Sequence, residues 1–564
     1  MIVLKIIHNN VIAKLHEPDE DARVLVQDIL SYQVPGAEHM AGTSWDGVSS
    51  MFERKTNQFP AGFVRFVKKR LEKKGYRIKT VSKPAVLPLG PKHPVVDDFG
   101  FVERYDYQAE IPETLVSNLK MIAQVATGGG KSRIFKLCAK RINRPTLFLT
   151  TRKTLMYQMA DNYQESFDGE QIGILGDGVW KPHPTGTNFA IVDTLISRLT
   201  VKTQQAYFSE AFIKHTESIE KAVVEWLKLN KLPFVPGHIK RLPIEVRKKI
   251  DAYRQSLEEK SPFDKEAQAK KALNKENKQN LRRSAALDLL GKIEFVCLEE
   301  AHEVSGNSFF EIMNNCVNAD YRLALTATPF MKDSDEANMR LMAASGPIGV
   351  KVSEKLLIDR GILAKPYFRF AKTARPTGLF ASTKWQRAYK LGIIENAARN
   401  NEIVTEAKKA AAHNLPTLVL VQRKDHGEAL LKLLQANGLK AKFIFGDNEQ
   451  TERKAALDQL GAGEVDVLIG TTIVDVGVDV PSVGLVVLAG GGKAETQTRQ
   501  RIGRGLREKK QGANVCFVLD FADDFNNTLR EHFYKRLEII QGTPGFDENI
   551  VDQFDYSIIT KAAA

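Results

Sequence analysis

One segment in the first third of the chain combines glycines with a lysine and a hydroxyl in an order suited to binding phosphate. An apolar run, Met121 to Val125, comes before it and a stretch with helical spacing, Arg133 to Lys140, follows it, which predicts a strand-to-helix turn. The backbone N–H groups of such a turn can surround phosphate oxygens, and the helix N-terminus adds positive potential. Lys131 is expected to reach the terminal phosphates and Ser132 to hold Mg²⁺. The predicted phosphate-binding residues are Thr127, Gly128, Gly129, Gly130, Lys131 and Ser132.

Two adjacent carboxylates end a second apolar run, Ile293 to Leu298. A buried parallel strand would place Glu299 and Glu300 at the carboxyl edge of a sheet, where open α/β folds bind their ligands. We expect Glu299 to hold Mg²⁺ and Glu300 to orient and deprotonate an attacking water, since phosphoryl transfer depends on positioning and charge neutralisation. A hydroxyl-bearing segment, Thr326 to Thr328, ends the next apolar run.

An arginine-rich segment, Gln500 to Arg507, lies too far along the chain to belong to the same nucleotide-binding sheet. A second domain is therefore predicted to deliver it. Arg504 and Arg507 are three residues apart on a predicted helix, so both can point at one target, where guanidinium groups stabilise charge on a transferred phosphoryl group. For Arg501 alone, a basic helix face bound to water or to nucleic-acid phosphate is an alternative, which fits all three arginines and Gln500 together less well.

The order and separation of these segments resemble those of superfamily 2 helicases of the DEAH-like type, over roughly residues 100 to 540. The resemblance rests on five segments: 125–132, a DEAH-like box at 299–302, Thr-Ala-Thr at 326–328, 471–479, and Gln-Arg-x-Gly-Arg-x-x-Arg at 500–507. It implies ATP and Mg²⁺ as cofactors, bound in a cleft between two RecA-like domains. Three residues depart from the family pattern: Val125 replaces a glycine, Glu299 replaces an aspartate, and Tyr105 replaces the arginine three residues before Gln108.

The same resemblance implies roles for further residues. Gln108 would read adenine, Gln500 would act at the catalytic centre with Arg504 and Arg507, and Gly477 and Asp479 would contact the nucleotide. His302, Thr326 and Thr328 would couple the nucleotide site to movement. The residues implied to contact the nucleic-acid backbone in the motor are Arg152, Thr194, Arg423, Gly446 and Thr472.

Composition agrees with a multidomain protein that binds polyanions. The chain has 564 residues, a formal net charge of +13 and a pI near 9.2, which favours salt-sensitive binding of nucleic acid. The four cysteines are widely spaced in apolar surroundings, which indicates reduced core residues and no structural zinc. No run of about 18 apolar residues occurs. We therefore expect a cytoplasmic protein, in the host cytoplasm if it is phage-encoded, that is monomeric and does not bind membranes.

Residues 1–95 are predicted to form a small basic α+β domain. Met1 to Leu15 reads as a β-hairpin that turns at Asn9-Asn10, and helices are predicted near 20–32 and 61–74. From Arg54 to Lys83 there are eleven basic residues and one acidic residue. Arg65, Lys68 and Lys69 would contact phosphates without reading sequence. With the turn at Trp45 to Gly47, this unit resembles the N-terminal domain of phage UvsW-type and Rad25-like branch-migration helicases.

The predicted fold class is α/β: two RecA-like domains of parallel sheets flanked by helices, with the N-terminal domain and one helical insertion. The first motor domain spans 100–365 with an insertion at about 200–290, the second spans 366–540, and 541–564 is a tail. Pro84 to Pro94 reads as a linker. The insertion, rich in Lys, Glu, Gln and Ala, reads as a helical hairpin or arm that clamps nucleic acid, binds a partner or is a solvated spacer.

These features predict an ATP-dependent DNA helicase or translocase that unwinds or branch-migrates forks and four-way junctions, working with recombination or replication proteins. An RNA helicase would use the same core. A restriction-enzyme motor subunit is a second alternative, since Pro18-Asp19 and Glu53 to Lys55 superficially match a metal nuclease pattern. A DNA-binding scaffold with an impaired ATPase is a third, because Glu299 is unusual.

Overall fold

The computed structural model describes residues 3–34, 45–97, 102–167, 169–232, 242–301, 307–330, 334–446, 448–471, 483–509 and 512–561. The chain begins with a four-stranded sheet in the order β5-β2-β1-β6, in which β1 pairs antiparallel with β2, as the predicted hairpin requires, and parallel with β6. Two helices cover the sheet, and β3 and β4 form a separate pair. Its elements are β1 Val3–His8, β2 Ile12–His16, α1 Glu20–Ile29, β3 Ser31–Gln33, β4 Val48–Ser50, β5 Gln58–Pro60, α2 Val64–Lys73 and β6 Arg77–Val81.

The first large sheet has eight strands in the order β10-β9-β11-β8-β12-β13-β7-β14, with all but the β9–β10 pair parallel. Its strands read as continuous apolar runs because helices cover both faces. Its elements are α3 Asp106–Asn118, β7 Lys120–Val125, α4 Lys131–Ile142, β8 Thr146–Thr150, α5 Lys153–Ser166, β9 Ile172–Gly176, β10 Val179–Lys181, β11 Thr187–Ile191, α6 Val192–Leu199, then, after the insertion, β12 Phe295–Glu299, α10 Asn307–Asn315, β13 Tyr321–Thr326, α11 Asp335–Ser345, β14 Ile348–Val352 and α12 Glu354–Asp359.

The insertion between α6 and β12 contains three described helices, α7 Gln204–Leu229, α8 Ile244–Lys260 and α9 Lys265–Lys292. The sequence predicted a helical hairpin or arm, and the described part of the insertion has three helices. A small apolar cluster holds α8 against α7: Val223 and Ile250 are fully buried there, and Trp226 stacks on Tyr253 with ring centroids 4.8 Å apart. We call these three helices the arm.

The second large sheet has six parallel strands in the order β15-β20-β19-β16-β18-β17. The predicted start of the second motor domain at residue 366 falls in its first strand. Its elements are β15 Lys365–Ala371, α13 Trp385–Tyr389, α14 Ala397–Ala412, β16 Thr417–Leu420, α15 Lys424–Ala436, β17 Ala441–Ile444, α16 Gln450–Gly461, β18 Val467–Gly470, β19 Leu485–Val487, α17 Glu495–Gly505, β20 Val515–Phe521, α18 Asn527–Gln541 and α19 Ile558–Lys561.

Two segments that the sequence assigned to a linker and a tail pack on the motor domains instead. In the linker, Val86 N donates to Asp320 at 2.7 Å and Leu89 N donates to the Ile142 carbonyl at 3.0 Å. In the tail, Val551 N donates to the Phe368 carbonyl of β15 at 2.8 Å. Backbone hydrogen bonds and buried rings hold both segments, and composition alone does not reveal such pairing.

The N-terminal unit shares a core with α11 of the first motor domain. Met339 and Ala343 of α11 belong to the same apolar cluster as Phe63 and Val67. The contact is close, since a Cβ added to Gly62 would lie 2.3 Å from the carbonyl oxygens of both Met342 and Ala343. The basic unit is therefore fixed to the first motor domain by packing.

All four cysteines are buried and free of disulfides, and burial raises the pKa of each thiol. Within the described ranges, no helix combines the length and the apolar character needed to cross a membrane.

Candidate functional site

The glycine-rich segment forms the turn between β7 and α4. Gly128 and Gly130 have φ values of 86° and 78°, a region that favours glycine, and Gly130 is the N-cap of α4. Lys131 and Ser132 therefore start the helix, and the backbone N–H groups of its first turn lie beside their side chains. The turn opens into a cavity of about 530 Å³ that Thr127, Gly128, Gly130, Lys131 and Ser132 line.

Gln108 of α3 hydrogen-bonds to this turn and to α4. Its side chain is 2% exposed, and Nε2 donates to the Gly129 carbonyl at 3.0 Å and lies 3.1 Å from the Tyr107 hydroxyl. Oε1 accepts a hydrogen bond from Arg133 Nη1 at 2.8 Å. A Cβ on Gly130 would lie 2.3 Å from Nε2. Gln108 reaches the cavity, and both ends of its amide are already bound to the phosphate loop and α4.

The two carboxylates lie where β12 ends. Glu299 pairs in register with Leu325 of β13, and Thr326 pairs with Gln124 of β7, so the ends of the three strands form one edge. Glu299 is 4% exposed, and its Oε2 is a buried oxygen with no hydrogen-bond partner among the described residues. Burial raises the pKa of Glu299 to about 7, helped by the charge of Glu300 and opposed by Lys131.

Glu300 has a φ of 50°, which is rare for a residue with a side chain. This conformation turns the chain at the strand end, and Glu300 Oε1 lies 3.9 Å from Lys131 Nζ. Backbone strain of this kind persists where the surrounding structure holds it, and it is common at sites of chemistry.

The residues fit a magnesium ion. Mg²⁺ prefers oxygen ligands and is usually held by one or two protein groups together with phosphates and water. The unpartnered Glu299 oxygen and the Ser132 hydroxyl lie on the same cavity. A longer glutamate in place of aspartate thus still ends at the cavity wall.

The second motor domain closes the other side of the cavity with Gly503, Arg504, Arg507 and Glu508. Helix α17 ends at Gly505, so the prediction that both arginines share one helix is wrong. Arg507 instead lies in an extended segment whose backbone pairs with Leu363. Burial lowers the pKa of Arg507. The two guanidinium groups still reach the cavity that Lys131 lines.

Gly503 sets how closely the two domains approach. A Cβ there would lie 2.8 Å from Thr127 Cγ2 and 3.0 Å from Thr127 Cβ, both in the phosphate loop. Only a residue without a side chain allows α17 this close to the loop. The sequence motif contained this glycine, but its spacing did not reveal what it contacts.

Several other implied site residues that the structure describes do not line the cavity. Thr326 and Thr328 are buried at the end of β13, where Thr328 N donates to Thr326 Oγ1 at 3.2 Å. Gln500 lies one turn before Arg504 on α17 and does not line the cavity; Arg501 is buried, 3.4 Å from the Gly491 carbonyl. His302, Thr472, Gly477 and Asp479 lie outside the described residues.

The candidate nucleic-acid contacts in the motor follow the carboxyl ends of parallel strands. They are Arg152 after β8, Thr194 after β11, Arg423 after β16 and Gly446 after β17. Since the strands in this part of each sheet are parallel, Arg152 and Thr194 lie at the same edge of the first sheet as the phosphate loop, and Arg423 and Gly446 lie at the carboxyl edge of the second sheet. In the N-terminal unit, Arg65 and Lys69 are exposed on α2, and Lys68 lies 3.8 Å from Glu72.

One ion pair beside the cavity, between Arg104 and Glu508, was not predicted from the sequence. Arg104 donates to Glu508 through Nη1 at 3.1 Å and through Nη2 at 2.5 Å, and it stacks on Tyr105 with its guanidinium carbon 4.9 Å from the ring centroid. The two charges are 404 residues apart in the chain. No local pattern could have paired them.

Two family models match the chain. Residues 101–331 match "Type III restriction enzyme, res subunit" and residues 400–509 match "Helicase conserved C-terminal domain". Together they cover more than half of the sequence and contain the phosphate loop, both carboxylates and the arginine segment.

Known proteins show the same similarity. "Putative helicase 22" of Sulfolobus islandicus filamentous virus is 24% identical over 62% of this chain and 61% of its own length. "Putative DNA 3'-5' helicase Rad25" of Haloarcula marismortui is 29% identical over 38% of this chain and 33% of its own. The chain thus spans about three fifths, or less, of the length of these relatives. The crystal structure of T4 UvsW aligns over 98% of both chains with a TM-score of 0.39 and 16% identity.

The first matched model spans seven of the eight strands of the first sheet, and the second spans four of the six strands of the second sheet. The predicted fold of two RecA-like domains is confirmed. The chain belongs to the superfamily 2 helicases.

Proposed function

We propose that this protein hydrolyses ATP in the cleft between its two sheets and uses the hydrolysis to move along DNA. One observation carries the proposal: Lys131 of the first domain and Arg504 of the second line one cavity. A volume of about 530 Å³ is within the range of pockets that hold small ligands.

The triphosphate would lie along the glycine turn. The N–H groups at the start of α4 and the Lys131 ammonium would hold its oxygens, and Arg504 and Arg507 would approach the γ-phosphoryl group from the opposite side. Lys131 Nζ lies 3.9 Å from Glu300 Oε1. Nucleotide binding would give the lysine a second anionic partner and leave Glu300 able to accept a proton from water.

The two carboxylates would then have different tasks. Glu299 and Ser132 would hold Mg²⁺, which neutralises charge on the phosphates during transfer. Glu300 would orient the attacking water, as its position one residue beyond the strand end directs it towards Lys131 rather than into the sheet.

Movement would follow from the attachment of the cavity walls to different sheets. A triphosphate that bridges Lys131 and Arg504 favours the closed cleft, and its hydrolysis removes that bridge. The candidate backbone contacts Thr194 and Arg423 lie on opposite domains. Their separation would therefore change once in each cycle.

We infer DNA with branches as the substrate from the N-terminal unit. Arg65, Lys69 and Lys73 are exposed on α2, and none of them forms an ion pair with a described residue. A rigid basic helix beside a motor is suited to holding a duplex arm without reading its sequence. Recombination or replication proteins would be its partners, in the cytoplasm of the cell or host.

The test is ATP turnover without nucleic acid and with single-stranded DNA, duplex DNA, a four-way junction and single-stranded RNA, with Lys131→Ala as the blank. The proposal expects the largest turnover with the junction and none in the variant. If RNA alone stimulates turnover, the substrate is RNA and not DNA. If no turnover occurs under any condition, the remaining function is that of a nucleic-acid-binding scaffold.

A further inference from the structure

The inner end of the arm is fixed beside one of the candidate nucleic-acid contacts. Helix α9 docks on the last turn of α6, where Gln279 Nε2 donates to the carbonyls of Ser197 at 3.2 Å and Thr200 at 2.6 Å. Thr194 lies in the first turn of the same short helix. Any chain of phosphates that passes Thr194 therefore passes close to the root of the arm.

One side of α9 is basic. Lys271, Lys275, Lys278 and Arg282 follow one another at spacings of four, three and four residues, which places them on one side of a helix. All four are exposed, and none forms an ion pair with any residue that the structure describes. At 1.5 Å per residue they extend over about 16 Å. We call these four residues the basic flank.

The rest of α9 does not neutralise this flank. The helix has eight basic and three acidic residues, and helical spacing places the acidic Glu266, Glu276 and Asp288 away from the basic flank. Glu276 accepts a hydrogen bond from Gln204 N at 2.9 Å, on the side that packs against α7. Glu210 of α7 lies near Lys275, and Lys202 already pairs with it at 2.5 Å.

A second arginine extends the flank towards Thr194. Arg198, four residues after Thr194 on α6, stacks on the Trp180 ring with its guanidinium carbon 3.7 Å from the ring centroid. Partial burial and the nearby charge of Arg282 both lower the pKa of Arg198. Neither arginine forms an ion pair within the described part of the chain. Two guanidinium groups held together in this way repel each other until an anion lies between them.

We propose that Arg198 and the basic flank form a second DNA-binding surface, which holds the phosphate backbone of DNA that leaves the motor at Thr194. This inference rests on the proposed function and extends its substrate contacts to the arm. Duplex DNA carries one charge per about 1.7 Å of axis, so a row of about 16 Å faces several phosphates. The surface contains no side-chain pattern that would read bases, so it would bind without sequence preference.

The experiment compares two variants of the full chain that lose the same number of positive charges from the arm. The first replaces Lys271, Lys275, Lys278 and Arg282 with alanine. The control replaces four other exposed lysines of the arm, Lys221, Lys228, Lys248 and Lys249, with alanine. Binding of a labelled forked duplex is measured by fluorescence anisotropy over a series of salt concentrations, together with ATP turnover in the absence of DNA.

We expect the basic-flank variant to bind the fork about 10- to 100-fold more weakly. The slope of the logarithm of its binding constant against the logarithm of the salt concentration should be shallower, by up to about 0.9 for each phosphate contact that is lost. The control should bind within about threefold of the wild type, and turnover without DNA should be unchanged in both. A four-residue change of the flank to Arg, Arg, Arg and Lys keeps the charges and should restore binding, which separates charge from folding.

Equal weakening in both variants would overturn the proposal, since net charge alone would then explain it. Unchanged binding in the basic-flank variant would also overturn it and leave the arm as a spacer or a protein-binding element. Failure of the proposed function has a different signature: the wild type would then show no ATP turnover with any nucleic acid, whatever the two variants do.

Discussion

Arg104, just before α3, and Glu508, just after α17, form a two-point ion pair across the cleft, with Nη2 and Oε2 2.5 Å apart. The pair joins the two motor domains beside the candidate nucleotide site, and Glu508 itself lines the cavity. It therefore helps to hold the two motor domains together at the edge of the cavity.

Breaking this pair should weaken closure of the cleft on ATP more than it slows the hydrolysis step. We expect Arg104→Glu to raise the KM for ATP about three- to tenfold while kcat changes less than twofold, because the side chains are 35% and 45% exposed and water screens them. The double variant Arg104→Glu with Glu508→Arg should recover most of the lost affinity. Steady-state ATP turnover at low salt measures both values.

A matched control is Lys355→Ala, which removes a cross-domain pair with Glu548 at 3.2 Å that does not line the cavity. Its KM should stay near that of the wild type. If the double variant Arg104→Glu with Glu508→Arg has a KM for ATP as high as that of Arg104→Glu alone, the ion pair is not what keeps the cleft closed.

Gln108 should act on the phosphate loop and not on the base. Both ends of its amide bind protein groups, so Gln108→Ala removes a support of Gly129 and of Arg133. We expect kcat/KM to fall about tenfold or more for ATP and GTP alike. A loss confined to ATP would show instead that Gln108 leaves these partners and reads adenine.

ATP turnover should require both the charge and the side-chain length of Glu299. Glu299→Gln removes the charge that faces the cavity and should lower turnover by about a hundredfold or more, whereas Glu299→Asp should raise the Mg²⁺ concentration for half-maximal activity about tenfold. Titration of ATP turnover with Mg²⁺ tests both variants. Higher activity in the aspartate variant than in the wild type would support the impaired-ATPase alternative.

Gly62 should limit the attachment of the N-terminal unit. A valine there would overlap the carbonyl oxygens of Met342 and Ala343, so the unit must shift or detach, at about 1–3 kcal/mol. Limited proteolysis should then cut the variant between the unit and the motor faster than the wild type. Gly291→Ala, in a position with open space around its added Cβ, is the control and should leave proteolysis unchanged.

His426 should make the second motor domain less stable in acid. Its ring is buried, Nε2 lies 3.1 Å from Asn400 Oδ1, and Nδ1 has no partner among the described residues. Burial, with the charge of Arg399, lowers the pKa of His426 to about 3, from an unfolded value of 6.5. The unfolded state therefore binds more protons between these two pH values.

The His426 contribution is thus fully present above pH 6.5 and is lost as the pH falls towards 3, with a slope of at most about 1.4 kcal/mol per unit. Urea unfolding of the full chain, followed across this window, measures the slope. His426→Gln should flatten it, and the same change at the exposed His413 should not. An unchanged slope in His426→Gln would assign the acid sensitivity to other groups.

The elements that the sequence predicted best are those whose function lies at the end of an apolar run. Lys131 and Glu299 each follow a buried strand, so a local pattern gave both their type and their edge of the sheet. The ion pair between Arg104 and Glu508 forms only when the two domains pack together, so no local sequence pattern could predict it. Arg507 was misplaced because helical spacing continues through Gly505, where the chain instead becomes extended against Leu363.

The shared core of the N-terminal sheet and α11 makes the N-terminal unit and the first motor domain a continuous packed structure. The basic α2, the first motor domain and the root of the arm are packed into one body, and the cavity is the gap between that body and the six-stranded sheet. A duplex held by α2 would then keep a constant distance from Thr194 throughout the cycle. If the proposed function is right, only DNA held by the second sheet would advance or retreat, and the opening of the cleft would set the length of each step.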